Sequence, residues 1–226
     1  MSIESIVSDE INKIKIIDLH THLFPANQDE LFLYGFDNLM TYHYLIAELF
    51  MFYDEISPDK FYNLTKKQKA DIIWNELFVK RSPISEASRG VLTTCKILGI
   101  PPSIGIDNIR ESFNQLTNYH GKEGYIKEIF DKSNVEYTIM TNQIFNRQEI
   151  NLLKNNCSFP SYFKTSLRVD EIIFNINKCY EFIEEEGYPP NIEGIKNYIK
   201  FWNEKLNPEY FMASIPYDFK FNENNS

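Results

Sequence analysis

The chain has 226 residues, a formal net charge of −9, and 43% hydrophobic and 15% aromatic content. That is apolar material for one sizeable core or at most two, and 18 Phe with 14 Tyr exclude a disordered chain outside the termini. The acidic balance excludes nucleic acid as a default partner, since phosphate binding needs a basic stripe, but leaves room for an acidic small molecule held by pocket arginines.

In chain order, residues 3–13 predict a short amphipathic helix, with Ile3, Ile6, Ile11 and Ile14 near helical spacing. Residues 14–19 predict the first strand, buried and leading into "DLHTHLFP". Residues 37–53 predict an aromatic-rich helix, "Ser57-Pro58" starts another element, and 66–80 predicts an amphipathic helix with Trp74 and Phe78 on its core face. Ser82 followed by Pro83 predicts a capped helix start, and Gly99 with Pro101 and Pro102 its end. Helices at 106–117 and 122–133 follow, with His120 in the loop between them beside Gly121.

The second half of the chain alternates. Strands are predicted at 135–142, 162–170 and 210–216, helices at 170–186 and 191–205, and a frayed tail over the last ten residues. The acidic run Glu184 to Glu186 predicts a solvated helix end. Strands separated by helices imply parallel pairing. The fold class is therefore α/β, a partial (β/α) barrel of about four parallel strands. It forms one domain over residues 1–226 with a helical insertion at 37–133.

Cys95, Cys157 and Cys179 are widely spaced and odd in number, which excludes a disulfide framework or a zinc spacing and predicts buried free thiols in a reducing compartment. Residues 1–14 carry Glu4, Asp9 and Glu10 and no apolar core, so no secretory signal is expected. No apolar run reaches spanning length, so no membrane partner is expected and the location is predicted to be cytoplasmic.

The candidate chemistry lies at strand ends. Asp18, His20 and His22 alternate, so they share one strand face, where a parallel α/β fold places its ligands. Two readings are open for the histidines: metal ligands, or imidazoles satisfied by backbone at a strand end. His43 and Tyr44 read on periodicity as core packing with a surface histidine. Arg168 and Asp170, two apart at the end of the third strand, read as a strand-end ion pair.

Together these segments resemble the uronate (glucuronate) isomerase branch of the amidohydrolase superfamily. "DLHTHL" resembles its first-strand Asp-x-His-x-His motif, and "TYHYLIAELF" its following His-Tyr segment. "EGYIKEIFDKSNVEYTIMTN" is similar to its helix-strand unit ending in Thr-Asp-Asp-Pro, with Asn142 and Gln143 in place of the acidic pair. "FKTSLRVD" is similar to Thr-Phe-Arg-Pro-Asp, with Val169 in place of proline. The resemblance implies a front half of a metal-dependent barrel, since a complete one needs roughly 250 residues.

It further implies His20 and His22 as ligands of a divalent metal, zinc suiting imidazole, with Asp18 behind them. Arg168 would hold a sugar acid's carboxylate, with His43, Tyr44, Asn142 and Asp170 as further substrate contacts. The implied reaction is aldose–ketose isomerisation of D-glucuronate or D-galacturonate. Two other readings stay open: a metal-dependent hydrolase acting on an amide or lactone, and a catalytically inactive half-barrel fragment. Its open edges invite a homo-oligomer or a complementing chain.

Overall fold

The computed structural model describes residues 2–28, 31 and 34–219. Of the tail expected to fray, residues 220–226 lie outside the described residues. Helix α1 (Ile3–Ile11) starts at Ser2, whose hydroxyl accepts the Ser5 N–H at 3.2 Å, and its apolar stripe buries no residue. Strand β1 (Ile16–Thr21) follows.

The expected helix over 37–53 is two helices, α2 (Phe36–Met40) and α3 (His43–Phe50). Thr41 donates its hydroxyl back to the Asp37 carbonyl at 2.7 Å, and extended Tyr42 then restarts the helix. A threonine bonding its own preceding turn competes with helix propagation in this way. Helix α4 (Pro58–Tyr62) has the expected proline at its first turn. Helix α5 (Lys66–Ile73) opens on a capping box between Thr65 and Gln68 and runs on as a π-helical stretch over Trp74–Val79. Trp74 and Phe78 stack there with centroids 4.9 Å apart.

Helix α6 (Glu86–Ile97) does not start at Ser82–Pro83. Its cap is Ser85, whose oxygen accepts the Ser88 N–H at 3.0 Å, because Ser85 is the serine with its third successor in helical register. Helix α7 (Ile106–Ser133) includes His120, which is helical rather than in a loop. The break falls one residue later, at Gly121 (φ 67°, ψ 175°), a conformation that favours glycine.

The chain continues through β2 (Val135–Gln143), α8 (Arg147–Asn155), β3 (Phe163–Arg168), α9 (Asp170–Phe174), α10 (Ile176–Glu185), α11 (Ile192–Leu206) and β4 (Tyr210–Met212). Helix α8 was not anticipated. Asn146 caps it by accepting the Glu149 N–H at 3.1 Å, and Ile150 and Leu153 bury its apolar side. The predicted helix over 170–186 divides at Asn175.

Two compact units result: Met1–Phe32 with Ser133–Ser226, and Leu33–Lys132. In the second, Phe36, Met40, Leu49, Phe61, Ile73 and Phe113 lie in one buried cluster. Arg110 of α7 reaches Asp37 at 2.6 Å and Asp71 at 2.5 Å, which ties three helices through one guanidinium.

The first unit holds a parallel four-stranded sheet in the order β1-β2-β3-β4. With its helices it is half of a (β/α) barrel, as the alternating pattern implies. Tyr210 of β4 donates its hydroxyl to the Leu19 carbonyl of β1 at 2.6 Å. Flat strands three places apart would stand about 14 Å from each other, beyond a tyrosine's reach, so the sheet is strongly curled.

Strand β1 is not buried as predicted. It is an edge strand, with Ile16, Ile17 and Leu19 at 47–60% exposure. The core of this unit lies on the other strands and their helices, where Leu167, Ile183, Tyr198 and Trp202 are buried together. Gly194 permits that packing, because a Cβ there would stand 1.8 Å from the Pro189 carbonyl oxygen. Trp202→Ala should cost about 3–5 kcal/mol through the cavity it leaves, read as a lower urea midpoint with an unchanged m-value.

The acidic run at 184–186 is not simply solvated. Glu186 pairs with Arg147 and Lys154, and Glu185 with Arg147, so basic residues of α8 offset acids that oppose the α10 dipole. All three cysteines are free thiols. Burial pushes Cys95 and Cys179 up to about 11, which makes them inert. Among the described residues no helix is long and apolar enough to cross a membrane.

Candidate functional site

The C-terminal ends of β1, β2 and β3 carry the candidate residues of the first unit. Asp18 is half-buried and fully engaged. Its Oδ1 accepts the His20 main-chain N–H at 3.2 Å, and its Oδ2 accepts the Thr138 hydroxyl at 3.1 Å. Asp18 therefore holds the His20 backbone and locks β1 to β2, and its hydrogen bond does not fall on the imidazole.

The His20 ring is held by a different residue. Its Nδ1 lies 3.1 Å from the Thr141 hydroxyl, which leaves Nε2 on the opposite edge of the ring for a ligand or a proton. The His20 and His22 rings meet edge to face with centroids 5.2 Å apart, and both residues are exposed. Thr141 was missed as a positioning residue. Its only signal was its place in the polar end of the second strand.

The metal implied by the resemblance can be tested on these donors. Two imidazoles stand side by side, but among the described residues no group of three His, Cys, Asp or Glu could hold an ion. A tetrahedral zinc takes at least three protein ligands. The described residues therefore do not complete a metal centre, and no chemical step is derived through one.

At the end of β3, Arg168 Nε donates to Asp170 Oδ2, the ion pair read from their spacing. Asp170 is in turn fixed by the Ser214 N–H, 2.6 Å from its Oδ1. A cavity of about 190 Å³ opens beside them, lined by Gln143, Phe145, Arg168, Asp170 and Glu171. It offers one guanidinium and one amide as donors and two carboxylates as acceptors.

Asn142 is turned inward, at 2% exposure. Its amide donates to Glu149 Oε1 at 3.1 Å. Glu149 is a buried acid that the sequence reading passed over. Desolvation raises its carboxyl to about 7, against the lowering effect of the Asn142 and Gln143 hydrogen bonds. It stands on the same face of α8 as Ile150 and Leu153, and a charge on that apolar face was the available signal.

His43 and Tyr44 belong to the helical unit, at the start of α3. Both are exposed, and their rings lie 4.2 Å apart between centroids, with Tyr42 against His43 at 4.3 Å. Tyr44 and Tyr42 line a groove of about 680 Å³ in that unit with Leu39, Leu45 and Val91 among its walls.

No protein-family model and no curated protein sequence matches the chain. Solved structures do. A uronate isomerase from Bacillus halodurans C-125 is 31% identical over 99% of this chain, with a TM-score of 0.88, and the match spans 55% of that enzyme's length. A glucuronate isomerase from Caulobacter crescentus shares the fold at 15% identity and a TM-score of 0.55, over 86% of this chain and 44% of its own. The chain thus spans about half the length of the solved enzymes it matches. In fold, motif order and sequence identity the chain is similar to the front portion of the Bacillus halodurans uronate isomerase.

Proposed function

We propose that this chain forms part of an enzyme that interconverts an aldose sugar acid and its ketose form, with D-glucuronate or D-galacturonate as substrate. The observation that carries the reading is the 31% identity to a uronate isomerase across 99% of the chain. It is supported by His20, His22 and Arg168 standing at the ends of parallel strands, the face on which such barrels build active sites.

In this reading Arg168 grips the substrate carboxylate through its planar fork. Asp170, fixed by Ser214, holds that guanidinium in place and accepts from a substrate hydroxyl. His20 and His22 supply two ligands to a divalent metal, zinc by donor type, with Thr141 orienting the first ring. Asn142 holds Glu149. The setting is carbohydrate metabolism in the cytoplasm.

A second reading is favoured by the span of the match, which is 55% of the solved enzyme. Catalysis then belongs to an assembly, and the single chain is an inactive half-barrel.

The test follows ketose formation by NMR from D-glucuronate and D-galacturonate, with zinc supplied and the oligomeric state recorded. Ketose from either sugar acid supports the proposal. No ketose from either, in a folded and zinc-supplied sample of every assembled form, overturns it.

A further inference from the structure

The cavity beside Arg168 takes two of its walls, Gln143 and Phe145, from the turn that joins β2 to α8. Gln143 lies opposite Arg168 in the parallel ladder, so a shift in its backbone is felt at the strand that carries the guanidinium. Three anchors hold this turn. The Phe145 ring packs against Phe182 and Tyr198, with centroids 5.8 and 5.5 Å away. The Tyr198 hydroxyl donates to the Ile144 carbonyl. The Glu149 carboxyl accepts the Asn142 amide at 3.1 Å and the Gln143 main-chain N–H.

Helix capping does not account for that third anchor. Asn146 and Glu149 have the spacing of a capping box, in which the glutamate side chain returns to the N–H of the cap residue. Here the Asn146 N–H already donates to the Gln143 carbonyl at 3.0 Å. The carboxyl reaches past it to the end of β2, and Glu149 is only 4% exposed. We propose that Glu149 is a positioning residue for the cavity: its carboxylate holds Gln143, and with it the wall that faces a bound sugar acid, and protonation releases that hold. The sugar acid as ligand rests on the functional reading above; the hold on Gln143 does not.

A buried acid with amide partners has two states. As a carboxylate it accepts from both N–H groups. With a proton it becomes a donor, and Asn142 Oδ1, buried on the same amide, has no partner among the described residues. Acid and amide then close on each other through two hydrogen bonds, and the Gln143 N–H loses its charged acceptor, the stronger kind. Burial raises the carboxyl to about 7, so both states occur near neutral pH. The charged groups around it have other partners. Arg147 and Lys154 of α8 pair with Glu185 and Glu186 at the end of α10, and Lys205 of α11 donates to the Lys154 carbonyl. His20 of β1 meets Thr141, the residue before Asn142. Burial pushes the Tyr198 hydroxyl up, so that anchor keeps its proton. Of the three anchors, Glu149 is the one whose charge changes.

The test follows the main-chain amide resonances of Gln143 and Phe145 by NMR on the full chain, with D-glucuronate titrated in at each pH. In the parent both resonances should move with a midpoint of about 7. D-glucuronate should bind about tenfold more weakly at about pH 6 than at about pH 8, the low-end worth of one charge-assisted hydrogen bond. Glu149→Gln offers Asn142 a donor and an acceptor as the protonated acid does, so both resonances should stay level and binding should keep the weaker value throughout. Asn142→Ala removes a bond that lowers the carboxyl, so it should move the midpoint upward. A midpoint that survives in Glu149→Gln belongs to another group, such as His20, and overturns the proposal. So does an affinity for D-glucuronate that is level with pH in the parent. Resonances that titrate in the parent alone, with no response to D-glucuronate at any pH, uphold the hold on Gln143 and fail the functional reading instead.

Discussion

On the proposed function, Arg168→Ala should lower kcat/KM for D-glucuronate about 100-fold. Two charge-assisted hydrogen bonds to the carboxylate are lost, and even at the low end of about 1.5 kcal/mol each they amount to two factors of ten. The change also leaves Asp170 without its guanidinium while the Ser214 N–H still holds it in place. A fixed negative charge then faces a negatively charged substrate, which adds to the loss. Lysine restores the charge but not the fork, so Arg168→Lys should remain at least about tenfold below the parent. Steady-state kinetics on the three proteins decides the matter. Full activity in the lysine variant would show that Arg168 serves the Asp170 ion pair and not the substrate.

Glu149→Gln should remove a pH dependence from the stability of the strand unit. The folded-state carboxyl sits at about 7, against an ordinary value of 4.5, chiefly because burial disfavours its charge. Between those two values the folded chain keeps a proton that the unfolded chain releases. The contribution is therefore fully present below 4.5 and is lost as pH rises through 7, after which both states are ionised and nothing more is lost. A shift of that size corresponds to about 3 kcal/mol at most. Glutamine keeps an acceptor for the Asn142 amide but cannot ionise. Urea midpoints between about pH 5 and 8 should fall for the parent and stay level for the variant. The variant should also be the more stable protein at the alkaline end. Parallel curves would show that water reaches Glu149 and its burial is incomplete.

Much of the molecule is written in local signals. Gly121 marks the break in α7 because a positive φ is a property of one residue. Pro58 marks the start of α4 because its fixed φ suits a first turn. The strands at β2 and β3 follow from apolar runs bounded by polar ends, and their parallel pairing follows from the helices between them. Arg168 and Asp170 were readable as a pair because they are two residues apart on one strand end. The Asp-x-His-x-His spacing put His20 and His22 forward for the same reason.

Other features depend on chain segments that meet only after folding. Thr141, which orients His20, is 121 residues away from it. Arg110, which joins three helices, meets Asp37 across 73 residues. Glu149 gained its raised carboxyl from burial in the folded chain, against the lowering effect of the Asn142 amide. The clearest case is β1. Its Ile-rich run reads as a buried strand, since apolar residues of that kind belong in a core. Whether they reach one depends on which strands lie beside them, and among the described residues β1 pairs with β2 alone and leaves Ile17 and Leu19 exposed. Sequence by itself determined the four strands, most of the helices, their order and the residue types at the strand ends, because backbone preference and periodicity act over a few residues. Only the tertiary structure decided which side chains are buried, which ring is held by which hydroxyl and which edges stand open, because burial and hydrogen bonding are properties of neighbours in space.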